Sequence, residues 1–151
     1  MLSKTCEYAL KTMIFLSSQA REGEVLSKLD DIAMAIDSPQ AFTAKILQQL
    51  VNADLVESFR GRYGGFALPK DLEASIADVI IAIDGDKLIH GCMLGFQSCS
   101  DEHPCVLHNE VKPARDQLKR MLTTTSIHTV MADFLDNKSH LLDLKTTSQA
   151  N

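Results

Sequence analysis

Residues 38–68 read SPQAFTAKILQQLVNADLVESFRGRYGGFAL. Ser38 suits a helix N-cap and Pro39 the first helical position, where its fixed φ and missing N–H cost nothing, so the spacing predicts a helix running to about Ala53. Its apolar positions Phe42, Ile46, Leu47, Leu50 and Val51 recur at three- and four-residue intervals and form the buried face. The other face carries Gln40, Thr43, Ala44, Lys45, Gln48 and Gln49. Upstream, Leu26 to Ile36 places Leu29, Ile32, Ala33 and Ile36 on one side of a shorter helix opened by Ser27 or Lys28. Two short helices joined by a tight turn, the second with a small and amide-rich outer face, describe a helix-turn-helix. Downstream, residues 55–59 alternate as a strand, residues 60–65 (RGRYGG) form a glycine-rich turn, and residues 66–68 return as a second strand. Taken alone, a basic hairpin tip is usually solvated surface. Directly after a helix-turn-helix it becomes a wing.

Working outward, residues 3–20 read as an amphipathic helix capped by Ser3, with Cys6, Ala9, Leu10, Met13, Ile14 and Ser17 on its buried stripe. Glu7 lies beside that stripe in the first turn, where an acid favours the helix dipole. Residues 75–84 form another helix, with Ser75 as N-cap, Asp78 at the third helical position, and Ile76, Val79, Ile80 and Ile83 buried. Gly85 ends it. A long amphipathic helix is predicted from about His108 to Thr123, with Val111, Leu118, Met121 and Leu122 on its apolar side and Pro113 near its start. A final helix from Ser126 or Ile127 to about Leu135 buries Ile127, Val130, Met131 and Phe134. These last helices are too apolar for the small winged-helix core alone, and a symmetric dimer would bury them.

Between these parts lies the loop of residues 91–108, GCMLGFQSCSDEHPCVLH. Cys92, Cys99 and Cys105 have six and then five residues between them, and His108 follows three positions after the last. Cysteine is ordinarily a small buried hydrophobe, which is the reading for Cys6. Three cysteines within one turn-rich loop point instead to a soft or borderline metal or an iron-sulfur cluster, because a loop lets nearby thiolates converge on one centre. Three thiols are one short of a closed four-ligand site. His108, a solvent molecule or a group from elsewhere in the assembly could complete it. Zinc is the main competitor, although zinc knuckles bring their cysteines in closer pairs. A structural disulfide is less expected, because no signal peptide is read at the amino end.

The chain has 151 residues, 45% hydrophobic and 23% charged, with a net charge of −5. Residues 1–70 hold eight basic and eight acidic side chains, and residues 71–151 seven against twelve, so the acidic excess lies wholly in the second half. A neutral first half with a local basic spot can still bind phosphate, since counterion release depends on the charges at the contact. No apolar run approaches the ~20 residues that span a bilayer. The chain therefore reads as cytoplasmic, with no membrane partner and no small-molecule substrate. No nucleophile–base pair or phosphate loop stands out, so an enzyme is not expected.

Glu7-Tyr8-Ala9-Leu10, Ile46-Leu47-Gln48-Gln49-Leu50, Arg60 to Phe66, Asp78-Val79-Ile80 and the three-cysteine loop occur in an order that resembles the Rrf-two family of bacterial winged-helix transcription regulators, whose members include IscR and NsrR. The resemblance spans nearly the whole chain. It implies that Cys92, Cys99 and Cys105 hold an iron-sulfur cluster of two-iron or four-iron type (2Fe-2S or 4Fe-4S). The fourth ligand it implies is His108, or an acid near the start of the first helix supplied by the partner subunit, here Glu7. It also sets Asp54 where a glycine commonly closes the recognition helix, a left-handed position that aspartate tolerates.

The expected fold is mainly α with a small β-hairpin wing, a winged helix-turn-helix followed by long C-terminal dimerisation helices. Residues 1–84 are the DNA-binding domain, 85–107 the cluster-binding loop, 108–137 the dimerisation helices and 138–151 a flexible tail. The expected function is a homodimeric regulator of transcription whose affinity for double-stranded DNA is set by a cluster sensing redox, nitric oxide or iron status. Gln40, Thr43, Ala44, Lys45 and Gln48 would lie in or beside the major groove, Arg60 and Arg62 would meet phosphate or the minor groove, and Tyr63 would pack on the sugar backbone. A regulator of the same fold sensing through thiol oxidation or zinc is the alternative. A small electron-transfer protein is remoter, since it needs neither helix-turn-helix nor wing.

Overall fold

The computed structural model describes residues 2–23 and 26–130. The expected end of the last helix, with Met131, Phe134 and Leu135, and the tail 138–151 lie outside the described residues. Among the described residues the elements follow the order α1 (Lys4–Glu22), α2 (Leu29–Ala35), α3 (Gln40–Asn52), β1 (Glu57–Phe59), β2 (Gly65–Ala67), α4 (Ile76–Asp84), α5 (Lys87–His90) and α6 (His108–Thr124). The chain is again helical after Ile127. The mainly helical winged-helix architecture agrees with the reading of the sequence.

Helix starts follow local chemistry. The Ser3 side chain accepts from the Cys6 N–H and opens α1, which Gly23 closes in the left-handed region at φ 87°. Ser75 and Asp78 form a complete capping box at α4, each side chain accepting from the other's backbone N–H. At α3 the expected cap is displaced by one residue. Pro39, extended at ψ 136°, is the N-cap, and its carbonyl accepts from the Phe42 and Thr43 N–H groups. Asp37, left-handed at φ 51°, turns the chain, the Ser38 N–H bonds to the Ala33 carbonyl, and the Ser38 hydroxyl is buried without a hydrogen-bond partner among the described residues. Asp54 is left-handed at φ 57°, the conformation expected of it, and Leu55 N–H returns to the Leu50 carbonyl at 2.9 Å.

The wing is shorter than its apolar pattern suggested. Leu55 and Val56 are buried in the core rather than laddered, and the strands pair antiparallel as Glu57 with Ala67, Ser58 with Phe66 and Phe59 with Gly65. Phe66 also exchanges both backbone hydrogen bonds with Ser27, at 2.8 and 2.9 Å, which ties the wing to the entry of α2. Two of the turn's glycines are steric necessities: a Cβ on Gly64 would stand 2.1 Å from the Phe59 carbonyl oxygen, and one on Gly65 would stand 2.7 Å from that of Ser27.

Two adjoining cores organise these elements. The larger packs Ala9, Met13 and Leu16 of α1 against Ile32 and Ile36, then Ile46, Leu47 and Leu50 of α3, with Val56, Val79 and Ile127. Each such side chain contributes roughly 1.5–3 kcal/mol on full burial. Ile127, expected among the dimerisation helices, thus belongs to the head; its N–H bonds to the Ala74 carbonyl at 2.9 Å. The smaller core joins Cys6, Ala77, Ile80, Ile89 and Leu122, so α5, which the sequence reading left as loop, anchors the cysteine segment through Ile89. Met121, expected on the apolar side of α6, is 52% exposed, and Pro113 sits inside the helix in its second turn.

Candidate cysteine centre and nucleic-acid face

The cysteine segment leaves α5 at Gly91, whose N–H bonds to the Lys87 carbonyl at a distance that leaves no room for a Cβ. Local turns then carry it: Gly95 N–H bonds to the Cys92 carbonyl, Ser100 N–H to that of His103, and His108 N–H to that of Cys105. Their effect is convergence. The sulfurs of Cys92, Cys99 and Cys105 all lie within 4.8 Å of one another, Cys92 and Cys105 only 3.6 Å apart. All three are free thiols and half-buried, whereas Cys6 is free and fully buried in the smaller core.

His108, the first residue of α6, is buried, with Nδ1 3.1 Å from the Cys99 sulfur and Nε2 2.8 Å from Asp101 Oδ1. Lys112 Nζ donates to Asp101 Oδ2 at 2.9 Å, and Arg115 donates to the Gly91 carbonyl at 3.1 Å, so α6 grips both ends of the loop. Three of the sequence-predicted donors, Cys92, Cys99 and Cys105, therefore meet, and His108 adjoins them through Cys99. Glu7 does not join them within the chain: it pairs with Lys4 at 2.7 Å in the first turn of α1. Asp101 and Lys112 escaped the sequence reading. The signal for Lys112 is its place four residues after His108, on the same helical face.

The thiols are electrostatically unequal. Loss of solvent opposes ionisation of Cys92, but hydrogen bonds from the Phe96 and Leu94 backbones and from Cys105 and Cys99 outweigh it and bring the thiol down to about 7. The backbone of Cys105 favours the Cys99 thiolate, yet desolvation and the neighbouring thiols leave Cys99 raised. Lys112, and after it His108, hold the Asp101 carboxyl below its usual range. Burial pushes Cys6 up to about 11.

On the outer face of α3, Gln40, Lys45 and Gln48 are exposed and Ala44 is half-exposed. Thr43 is a correction: it is fully buried, and its hydroxyl donates to the Pro39 carbonyl at 3.1 Å. Thr43 stands three and four residues before the buried Ile46 and Leu47, on the core stripe of the helix, so it braces the helix rather than facing a groove. Gln48 donates to Asn52 Oδ1 at 2.9 Å, which orients its amide along the exposed face. Arg60, Arg62 and Tyr63 project from the wing tip, Arg62 lying 5.8 Å over the Tyr63 ring.

A solvent-facing helix after a tight turn, beside a hairpin with two exposed arginines at its tip, defines a winged-helix DNA-binding regulator, here with a thiol-rich loop. The family model described as Rrf2, iron-dependent transcriptional regulator, matches residues 2–133, and the chain belongs to that family. An HTH-type transcriptional regulator of Aquifex aeolicus is 30% identical over 83% of this chain and 87% of its own length. NsrR of Oceanobacillus iheyensis is 26% identical over 95% of each. Among solved structures, CymR of B. subtilis, titled the global cysteine regulator, superposes with a TM-score of 0.67 at 26% identity, covering 87% of this chain and 96% of that one. Among the described residues no helix is long and apolar enough to cross a membrane.

Proposed function

We propose that this protein is a homodimeric transcription regulator whose operator affinity depends on an iron-sulfur cluster held by Cys92, Cys99, Cys105 and His108. The observation that carries the reading is the convergence of three sulfurs drawn from a 14-residue span with an imidazole nitrogen 3.1 Å from one of them. The donor set fits such a group, because thiolates are the usual cluster ligands and an imidazole is an accepted replacement. The cluster supplies a redox- and nitric-oxide-sensitive centre. The chain's own residues do the rest. Arg115 and Lys112 hold the loop against α6, and α6 packs on α4 through Leu122, so a change in loop shape reaches the head through one short path. Half-exposed Leu118 and exposed Met121 on α6 offer an apolar surface for a second copy. Gln40, Ala44, Lys45 and Gln48 read the major groove, and Arg60, Arg62 and Tyr63 grip the backbone beside it.

Anaerobic purification followed by visible absorption and iron-to-sulfide stoichiometry tests the cofactor; a colourless, iron-free protein would overturn it. Cys99→Ala should abolish the absorption and shift operator affinity, a hundredfold change corresponding to ~3 kcal/mol between cluster-bound and cluster-free states. Operator binding equal to that of the parent would remove the sensing role.

One observation favours a second reading, thiol or zinc sensing. Two thiolates on one tetrahedral ion with metal–sulfur bonds of about 2.3 Å stand ~3.8 Å apart, close to the 3.6 Å between Cys92 and Cys105. Zinc in the purified protein, at one per chain and without sulfide, would select it.

A further inference from the structure

The His108 ring is held from both sides. Its side chain is 4% exposed, Nε2 lies 2.8 Å from Asp101 Oδ1, and Nδ1 lies 3.1 Å from the Cys99 sulfur. Asp101 is itself fixed, because its second oxygen accepts from Lys112 Nζ at 2.9 Å. Lys112 stands one helical turn beyond His108 on α6 and also faces Asp116 at 3.7 Å. Asp101 thus bridges His108 and Lys112 across the junction of loop and helix. A carboxylate next to an ammonium offers only acceptor positions, so the proton between Asp101 and His108 belongs to Nε2. In a neutral imidazole the lone pair then resides on Nδ1. That is the atom turned toward the cysteines.

We infer that Asp101 is the positioning residue of the cysteine centre, fixing His108 so that Nδ1 is its fourth donor in place of Nε2 or a Glu7 carboxylate. The inference rests on the proposed cofactor site and adds the donor atom, its tautomer and the residue that sets both. Nε2 is unavailable as a ligand while it donates to Asp101. Glu7, for its part, is engaged by Lys4. Carboxylates that orient metal-binding histidines in this way typically contribute about 10–100-fold to metal retention.

The experiment uses the full chain with Asp101→Leu and Asp101→Glu. Asp101 is 68% exposed, so neither substitution disturbs a core. In metal-free protein, long-range proton–nitrogen NMR reads the His108 tautomer. The Nε2–H form is expected in the parent and in Asp101→Glu, and its loss in Asp101→Leu. An Nδ1–H form in the parent, or no change in Asp101→Leu, overturns the positioning role. In the reduced cluster-loaded protein, histidine labelled with nitrogen-15 at Nδ1 should show strong coupling by pulsed electron paramagnetic resonance. Coupling at Nε2, or none from histidine, overturns the ligand assignment. Cluster loss to a chelator should run 10- to 100-fold faster in Asp101→Leu and return to the parent rate in Asp101→Glu. A parent protein with the expected tautomer that never takes up iron and sulfide would refute the cofactor reading while upholding the role of Asp101 in orienting the ring.

Discussion

The sulfurs of Cys92 and Cys105, 13 residues apart in the chain, stand 3.6 Å from one another. A disulfide needs about 2.05 Å, so a small loop movement suffices to join them. Metal-free protein treated with diamide should form the Cys92–Cys105 bond first: the Cys92 thiolate attacks the diamide, Cys105 displaces the adduct, and the diamide leaves reduced with both thiol protons. Peptide mapping by mass spectrometry checks it. A first bond through Cys99 would contradict the loop geometry.

Cys6 should behave differently from the other three cysteines. It is fully buried, and burial lifts its thiol to about 11 from an ordinary 9.0. At pH 8 iodoacetamide should therefore modify the three loop thiols of the metal-free protein and leave Cys6 untouched until denaturant is added. The sign of the stability effect follows from the raised value. Below pH 9 both folded and unfolded chains keep the proton and the fold is at full strength; between about 9 and 11 only the unfolded chain releases it, and stability falls. Chemical denaturation across that window, compared with Cys6→Ala, isolates the contribution.

Thr43 and Gln48 lie on one helix and should separate cleanly. Thr43→Val removes the buried hydrogen bond to Pro39 and should cost about 1 kcal/mol of stability while leaving sequence preference intact. Gln48→Ala, at an exposed position, should leave the thermal midpoint nearly unchanged and weaken discrimination among operator variants by about 1–3 kcal/mol. Equal loss of specificity in both variants would show that Thr43 is accessible in the complex.

The two wing arginines should appear in the salt dependence of binding. If each neutralises one phosphate, replacing both Arg60 and Arg62 by Ala lowers the slope of log affinity against log salt by about 1.8. Fluorescence anisotropy over a salt series measures it. An unchanged slope would place the wing tip off the backbone.

Much of this was legible along the chain because it depends on neighbours within one or two turns. Ser3 and the Ser75–Asp78 box announce helix starts since a cap needs only a side-chain oxygen and an N–H three residues on. The apolar spacing of α3 gives its inner face, and the number and spacing of the loop cysteines announce that their sulfurs converge. Local rules failed where a distant backbone intervened. Asp37 took the left-handed turn and moved the α3 cap to Pro39, and Thr43, at helical spacing from Ile46, Leu47 and Leu50, lies on the core side. Leu55 and Val56 alternate like a strand yet fill the head, because the core offers them more buried area than a two-stranded edge does.

The sequence by itself determined the winged-helix class, the helix-turn-helix and wing segments, and which sulfurs share a loop, since these follow from periodicity, capping and glycine placement. Only the tertiary structure decided that Lys112 fixes Asp101 against His108, that Ile89 anchors the loop, and that Ile127 belongs to the head. Hydrogen bonds and packing between elements have no sequence period. They exist only once separate parts of the chain have been brought within a few ångströms of each other.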